Sequence, residues 1–520
     1  MDYDYLIVGS GFGGSVAALR LSEKGYKVVV VEKGRWFKAE DFPKTNWNLK
    51  RWLWLPSLRW FGLFKITLFR HVNVVSGVGV GGGSLVYANT LPRPKSTFFH
   101  SGSWAGLADW EKELEPFYQT AWQMLGAETY NFQDEGDQAI RLLANELDRT
   151  HHVEPAKVAI YFGEPDVTVA DPYFNGAGPS RTGCNRCGAC MTGCRYNAKN
   201  TLDKNYLHLA EKHGAVILAG QQVTDIHPLG IKDGSDGYVV TLKTSQTWIK
   251  KPQKITAKGI VLAGGVLGTV PLLLKLKKKA LPFLSSKVGH DIRTNNESLL
   301  GVTTFQKTKD FAEGIAIGSV LHLDNDSHLE PVSYGRGSGF WRLLMMPLSI
   351  KAGFLQRAAE VILDLLKHPR SNLKAFFVRD WAKSTLILLF MQHLDSTLQF
   401  TQNVWGLHSR VSQGKKPTSF IPQAEQGARA ISHIIRGKPY ALATETLLGI
   451  PTTAHILGGA VIGADPSTGV IDQNQQVFGY QNMYVCDGSA ISANPGVNPS
   501  VTITALAERA MSKIPRKLRS

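Results

Sequence analysis

The residue types best suited to chemistry fall in two short runs. The first, Gly9-Ser-Gly11-Phe12-Gly13-Gly14, lies between an apolar strand, Tyr3 to Val8, and a helical pattern from Gly13 to Lys24 closed by Gly25. In that order Gly9 permits a tight bend, Gly11 lets backbone approach a pyrophosphate, and Gly14 lets helix pack on strand. The helix N-terminus then offers free N–H groups to phosphate. A second apolar strand, Tyr26 to Val31, ends in Glu32, whose carboxylate can accept hydrogen bonds from a ribose diol. The pattern predicts a dinucleotide cofactor, FAD or NAD, held by Gly9, Gly11, Phe12, Gly13, Gly14 and Glu32.

The second run is Cys184-x2-Cys187-x2-Cys190-x3-Cys194, the spacing of bacterial ferredoxin cysteines. Soft thiolates this close favour an iron–sulfur cluster or zinc over oxygen-loving metals. In ferredoxins the fourth cysteine of such a run serves a second cluster, and this chain has no second run; its fifth cysteine, Cys486, sits beside Asp487. Two readings stand. Either some or all of Cys184, Cys187, Cys190 and Cys194 hold an iron–sulfur cluster that passes single electrons to a redox protein, or they are reduced thiols or local disulfides that brace a loop.

A glycine-rich segment, Gly77-Val-Gly79-Val-Gly-Gly82-Gly83-Ser84, and the distant runs His455-Ile-Leu-Gly-Gly, Asp487-Gly488-Ser and Gly496-Val-Asn498-Pro-Ser-Val-Thr-Ile complete a recurring set. Together they resemble the glucose-methanol-choline family of FAD oxidoreductases, and within it the cholesterol oxidases of the mycobacterial type, over nearly the full chain. The resemblance selects FAD. It implies an adenine met by the backbone of Val223, an isoalloxazine ring beneath Gly79, Gly82, Gly83 and Ser84, and a ribityl–pyrophosphate region held by Asp487 and Gly488, with Asn498 beside the ring.

By the same carry-over, His455 is the base that takes an alcohol's hydroxyl proton as hydride leaves for flavin N5, and Asn498 orients the hydroxyl. Imidazole is the side chain whose ordinary pKa lies closest to working pH. Glu330, in His328-Leu-Glu330-Pro, matches a carboxylate that moves a double bond after oxidation. The implied substrate is a bulky apolar alcohol of the 3β-hydroxysteroid type, with oxygen or a redox protein as electron acceptor. Two alternatives stand beside this one: an FAD dehydrogenase for another large or long-chain alcohol, and a non-catalytic basic flavoprotein at a membrane surface.

The elements that must position these residues are α/β, α+β overall. Rossmann-type pieces occur at the start, at Gln222 to Ala263 with its turn Ala263-Gly-Gly-Val-Leu-Gly268, and after Thr452. The FAD-binding domain is therefore expected to be discontinuous, 1–110 plus 182–297 plus 450–520. A substrate-binding domain of 111–181 plus 298–449 would be built on a mostly antiparallel sheet with helices.

At 520 residues the chain can bury a large core. Its 58 Lys and Arg against 42 Asp and Glu give a net charge of +16. No zinc-finger spacing, basic heptad segment or RNA-binding aromatic signature accompanies that charge, which argues against nucleic acid and toward solubility or an anionic membrane. No apolar run approaches the length of a bilayer span, and the first strand begins almost at Met1, so a cytoplasmic protein is expected. Two stretches mix apolar residues with cations and suggest peripheral membrane association: Lys50 to Lys65, and Phe340 to Leu366 with Arg342, Lys351, Arg357 and Lys367.

Overall fold

A computed structural model of the chain describes residues 1–247, 252–349, 351, 353–394, 396–414 and 417–518. Of the two cation-flanked stretches, Ile350 and Ala352 in the second lie outside the described residues.

The strand Tyr3–Val8 pairs in parallel with Val28–Glu32 on one side and with Pro252–Leu262 on the other. Val216–Ala219 extends the sheet beyond Val28–Glu32, again in parallel. The valine run Val28 to Val31 is buried throughout, as a strand covered on both faces must be. Pro252–Leu262 divides its far edge. As far as Ala257 it pairs antiparallel with Tyr238–Thr244, which in turn pairs with Gln221–Pro228; from Ile260 it pairs in parallel with Met483–Val485. Segments from the start, middle and end of the chain thus meet in one Rossmann-type sheet.

Helix Phe12–Glu23 is enclosed on nearly all sides. The sheet covers one face and the C-terminal helix Ser500–Ser512 covers another, with Arg20 bridging both oxygens of Glu508 at 2.7 and 2.9 Å. Helix Trp110–Met124 packs on the outside of that C-terminal helix, where Tyr118 bonds Thr502 at 3.0 Å and Arg509 pairs with Glu113 at 2.8 Å.

A second sheet runs in the order Met345–Pro347, Gly437–Leu442, Ser298–Thr304, Thr385–Gln392, Ser327–Val332, Ser319–His322, Val153–Pro155, and every adjacent pair is antiparallel. Side chains alternate between its faces. One face buries Leu329, Leu386 and Leu388 against helices Glu135–Glu146 and Pro422–Ile434; the other turns Ile387, Leu389 and Val332 toward the first sheet. The space between the sheets is the site.

The first cation-flanked stretch folds inward. Trp52, Trp54 and Phe64 are buried, and Trp52 stacks on Phe64 with centroids 4.7 Å apart while meeting Trp341 edge-on at 5.7 Å. This segment is a cover over the cavity, and its aromatic rings are spent on core packing.

Candidate active site

A cavity of about 890 Å³ runs from the first sheet to the second. Its polar end is the glycine turn. Gly9 adopts φ +98°, and a Cβ there would stand 2.4 Å from the Ala263 carbonyl oxygen. Gly13 lies so close to the C-terminal segment that a Cβ would fall 1.2 Å from the Cys486 oxygen. Gly11 is different in kind: a Cβ there meets nothing within 4 Å and would project into the cavity. Gly265 and Gly268, at the start of helix Val266–Lys277, are open in the same way. Two backbone surfaces therefore face one slot with no side chain between them, at the N-termini of two helices, which fits a pyrophosphate-bearing dinucleotide.

Glu32 lines the slot and is held from behind. It accepts from Ser10 N and Oγ at 3.1 and 2.9 Å and from Gly34 N at 2.8 Å. Asp487 accepts from Gly265 N and Ser489 N, each at 2.8 Å, and from Thr269 Oγ1, so its carboxylate fixes the second glycine turn while facing the cavity. Burial pushes its pKa above the ordinary range against these donors.

Phe12, Gly82, Gly83, Val223, Gly488 and Asn498 also line the cavity. Gly14, Gly79 and Ser84, expected at the cofactor, do not. Gly14 packs on the Gly9 carbonyl, Gly79 closes against Phe37 and Leu85, and the Ser84 hydroxyl donates to Gly81 O at 2.7 Å and accepts from Leu202 N at 3.0 Å. These three shape the loop behind the cradle.

At the junction with the second sheet stand His455 and Asn498. His455 is 12% exposed and opens onto the cavity; its Nδ1 lies 2.8 Å from Oε1 of the fully buried Glu297. Thr453 Oγ1 and Ala454 N also donate to that carboxylate. Burial alone would lower the imidazole pKa, but the Glu297 charge and hydrogen bond outweigh it, with a smaller contribution from Glu330, and the net shift is upward. Correspondingly, Glu297 is held below the ordinary carboxylate range despite its burial. Asn498 is buried with its Oδ1 bonded to nothing, at the cavity wall. Glu297 has no signature in the sequence: it is a lone acid at the head of the strand Ser298–Thr304, and only the fold brings it to His455.

Glu330 is fully buried and does not itself line the cavity. It projects from the same face of its strand as Val332, which does, and is paired across the sheet with Leu389, another lining residue. Its Oε1 lies 3.5 Å from His328 Nε2, and neither oxygen has a hydrogen-bond partner. The remaining walls of this end are apolar: Leu299, Ile317, Val332, Tyr334, Ile387 and Leu389.

The four-cysteine run forms a loop beside this end, with Met191 reaching the cavity. The buried Lys199 ammonium fastens it by donating to Cys190 O at 2.9 Å, Tyr87 O at 2.8 Å and Leu85 O at 3.2 Å. All four thiols are free, and burial raises the pKa of Cys184 and Cys190 and pushes Cys187 up to about 11. Among the described residues, no three Cys, His, Asp or Glu side chains are arranged to hold a metal ion. Of the two readings of the run, the iron–sulfur cluster is not supported by this arrangement.

Comparison with known proteins agrees with this geometry. Models of the GMC oxidoreductase family match residues 179–279 and 399–507, and a model of the NAD(P)-binding Rossmann-like domain matches 7–37. The chain is 44% identical to a cholesterol oxidase of Acinetobacter baumannii, over 99% of this chain and 95% of that protein. It is also 44% identical to a cholesterol oxidase of Mycobacterium tuberculosis, over 99% and 92%. A crystal structure of pyridoxine 4-oxidase from Mesorbium loti shares the fold at a TM-score of 0.62 and 15% identity, covering 98% of each chain. Aligned along almost its whole length with such relatives, the chain belongs to the GMC oxidoreductase family of FAD-dependent alcohol oxidoreductases.

Proposed function

We propose that the chain oxidises the hydroxyl of a bulky apolar alcohol of the 3β-hydroxysteroid type to the ketone. The observation that carries this reading is the make-up of the cavity end beside the second sheet: the polar groups His455 and Asn498 face walls formed by Leu299, Ile317, Val332, Ile387 and Leu389. Such a site orients a molecule with a single hydroxyl on a large hydrocarbon body. The names of the two relatives at 44% identity support the sterol class and oxygen as electron acceptor.

When bound, FAD supplies the two-electron acceptor for the hydride that leaves the carbinol carbon. The chain's own residues handle the proton. Carboxylates only accept hydrogen bonds, so the bond to Glu297 places the His455 proton on Nδ1 and leaves the Nε2 lone pair for the substrate O–H. Glu297 thereby orients the ring and stabilises the imidazolium formed as the hydroxyl proton arrives. The Asn498 amide, at the cavity wall, would orient the hydroxyl and cannot compete for its proton. The cradle residues Gly9, Gly11, Phe12, Gly13, Glu32, Gly82, Gly83, Val223, Asp487 and Gly488 would hold the cofactor against this corner.

We assign Glu330 the second step, removal of a proton from a ring carbon of the product ketone and its return to another carbon, which moves the double bond into conjugation. Its lack of hydrogen-bond donors supports the role, since a carboxylate already saturated would be a poor proton shuttle. A substrate of this kind resides in bilayers, so collection at a membrane surface is part of the reading.

Steady-state turnover of the holoenzyme against a panel of 3β-hydroxysteroids and long-chain primary alcohols, followed by hydrogen peroxide formation, tests it. The expected result is a preference for the steroids of at least two orders of magnitude in kcat/KM. Turnover confined to the linear alcohols would sink the assignment.

A further inference from the structure

Helices Phe354–Lys367 and Pro369–Phe376 leave much of their apolar surface in water. Leu355, Leu366 and Phe377 are 79%, 71% and 72% exposed, and Ile362, Leu363 and Leu373 beside them are more than half exposed. Contiguous apolar patches of this kind on a soluble chain mark an interaction surface.

The charge around the patch is one-sided. Between 351 and 379 the only acids are Glu360 and Asp364. Both are turned inward: Glu360 accepts from Ser349 Oγ, and Asp364 accepts from Lys438 Nζ and from Asn372 Nδ2. The cations Lys351, Lys367, Arg370, Lys374 and Arg379 remain exposed. Apolar side chains flanked by cations, with every acid engaged elsewhere, complement an anionic lipid headgroup layer and the acyl region under it. Among the described residues no helix is long and apolar enough to cross a membrane, so the pair would lie on the surface.

Beneath the pair is a second cavity, of about 420 Å³, walled on its outer side by Leu365, Leu373 and Phe376. Its inner wall includes Met345. Met345 also lines the catalytic cavity, so it borders both spaces. An unbranched thioether with three rotatable bonds is the apolar side chain best able to swing aside for a passing ligand.

We propose that the helical pair docks on an anionic phospholipid surface and that the cavity under it is the intake passage for an apolar alcohol, with Met345 as the gate to the catalytic cavity. The passage rests on the substrate class assigned above; the docking surface does not.

Docking is tested by co-sedimentation of the FAD-loaded enzyme with vesicles of phosphatidylglycerol and phosphatidylcholine. The wild type is expected to sediment with them, and the L366E/F377E double variant to lose about tenfold in partitioning. Neither residue lines either cavity, so the double variant should keep its turnover of a sterol presented in detergent while losing turnover of the same sterol in vesicles. Met345→Trp tests the passage: kcat/KM should fall about tenfold or more for the sterol in both presentations, with flavin content retained.

A wild type that turns over sterol in detergent but does not sediment would overturn the docking surface and leave the substrate reading intact. Binding to pure phosphatidylcholine as strong as to the mixture would overturn the charge argument. A stable dimer in the absence of vesicles, dispersed by L366E/F377E, would replace the membrane by a second copy of the chain. Unchanged kinetics in Met345→Trp would overturn the passage, whereas wild-type failure to oxidise sterol in every presentation would strike the substrate reading instead.

Discussion

Glu297 and His455 form an ion pair at the cavity wall, Oε1 to Nδ1 at 2.8 Å, in which the carboxylate is fully buried and the imidazole keeps only its cavity edge. Solvent cannot screen the pair from the carboxylate side. Each partner's pKa moves to favour the charged form of both, the imidazole upward and the carboxylate downward.

The sign of those shifts predicts the pH profile. His455 must be neutral to accept a proton, and its pKa lies above the ordinary 6.5, so kcat/KM should rise with pH through a midpoint above that value. In Glu297→Gln the carboxylate charge is gone and burial is opposed only by the smaller Glu330 contribution, so the midpoint should move down while kcat falls by about tenfold or more. A pH-rate series on both proteins checks this; an unmoved acid limb would detach Glu297 from the base.

Replacing His455 with Ala should leave FAD bound, as read from the visible spectrum of the purified protein, because the cradle is built by other residues. Turnover should fall by about 10²- to 10⁴-fold. Equal turnover in the variant would remove His455 from the chemistry.

The glycines separate into two classes that substitution can tell apart. Gly11→Val places a side chain in open cavity, so the protein should fold normally and fail to retain flavin. Gly13→Ala collides with the Cys486 carbonyl backbone, so it should lower the thermal unfolding midpoint even of flavin-free protein. Paired melting curves and flavin absorbance distinguish the two.

Glu330→Gln should preserve alcohol oxidation and abolish double-bond migration, so the product would be the unconjugated ketone. Chromatography with ultraviolet detection of the enone reads this directly. A conjugated product at the wild-type rate would assign the shuttle elsewhere.

How much of this was legible beforehand depended on how local the governing rule is. The strand, glycine turn, helix and second strand from Tyr3 to Glu32 follow from short-range backbone requirements, and the structure places helix Phe12–Glu23 within a residue of the pattern. Glycine spacing shows where backbone is crowded but not on which side the ligand lies; Gly14, Gly79 and Ser84 fit the motif by spacing, but they pack behind the cavity instead of lining it. Glu297 was invisible because its importance comes from a contact across more than 150 residues of sequence. The cysteine spacing suggests a cluster, but spacing does not report how Lys199 ties the loop down or how burial raises the pKa of Cys184, Cys187 and Cys190. The two aromatic and cationic stretches carry similar signatures, yet only part of the second is taken into the core: Trp52 stacks on Phe64 and meets Trp341 edge-on, while Leu355 and Leu366 stay largely exposed.

The fit of Gly13 against the Cys486 carbonyl also constrains biosynthesis. A nascent chain makes its dinucleotide turn well before the surface that closes over that turn, because Cys486 lies far downstream of Gly13. Until Met483–Val485 and the helix after it emerge, the parallel sheet lacks its final strand and helix Phe12–Glu23 lacks its cover. Assembly of the cradle therefore needs both segments, and a chain without Met483–Val485 and the helix after it would leave helix Phe12–Glu23 uncovered, a surface for chaperones and proteases to handle.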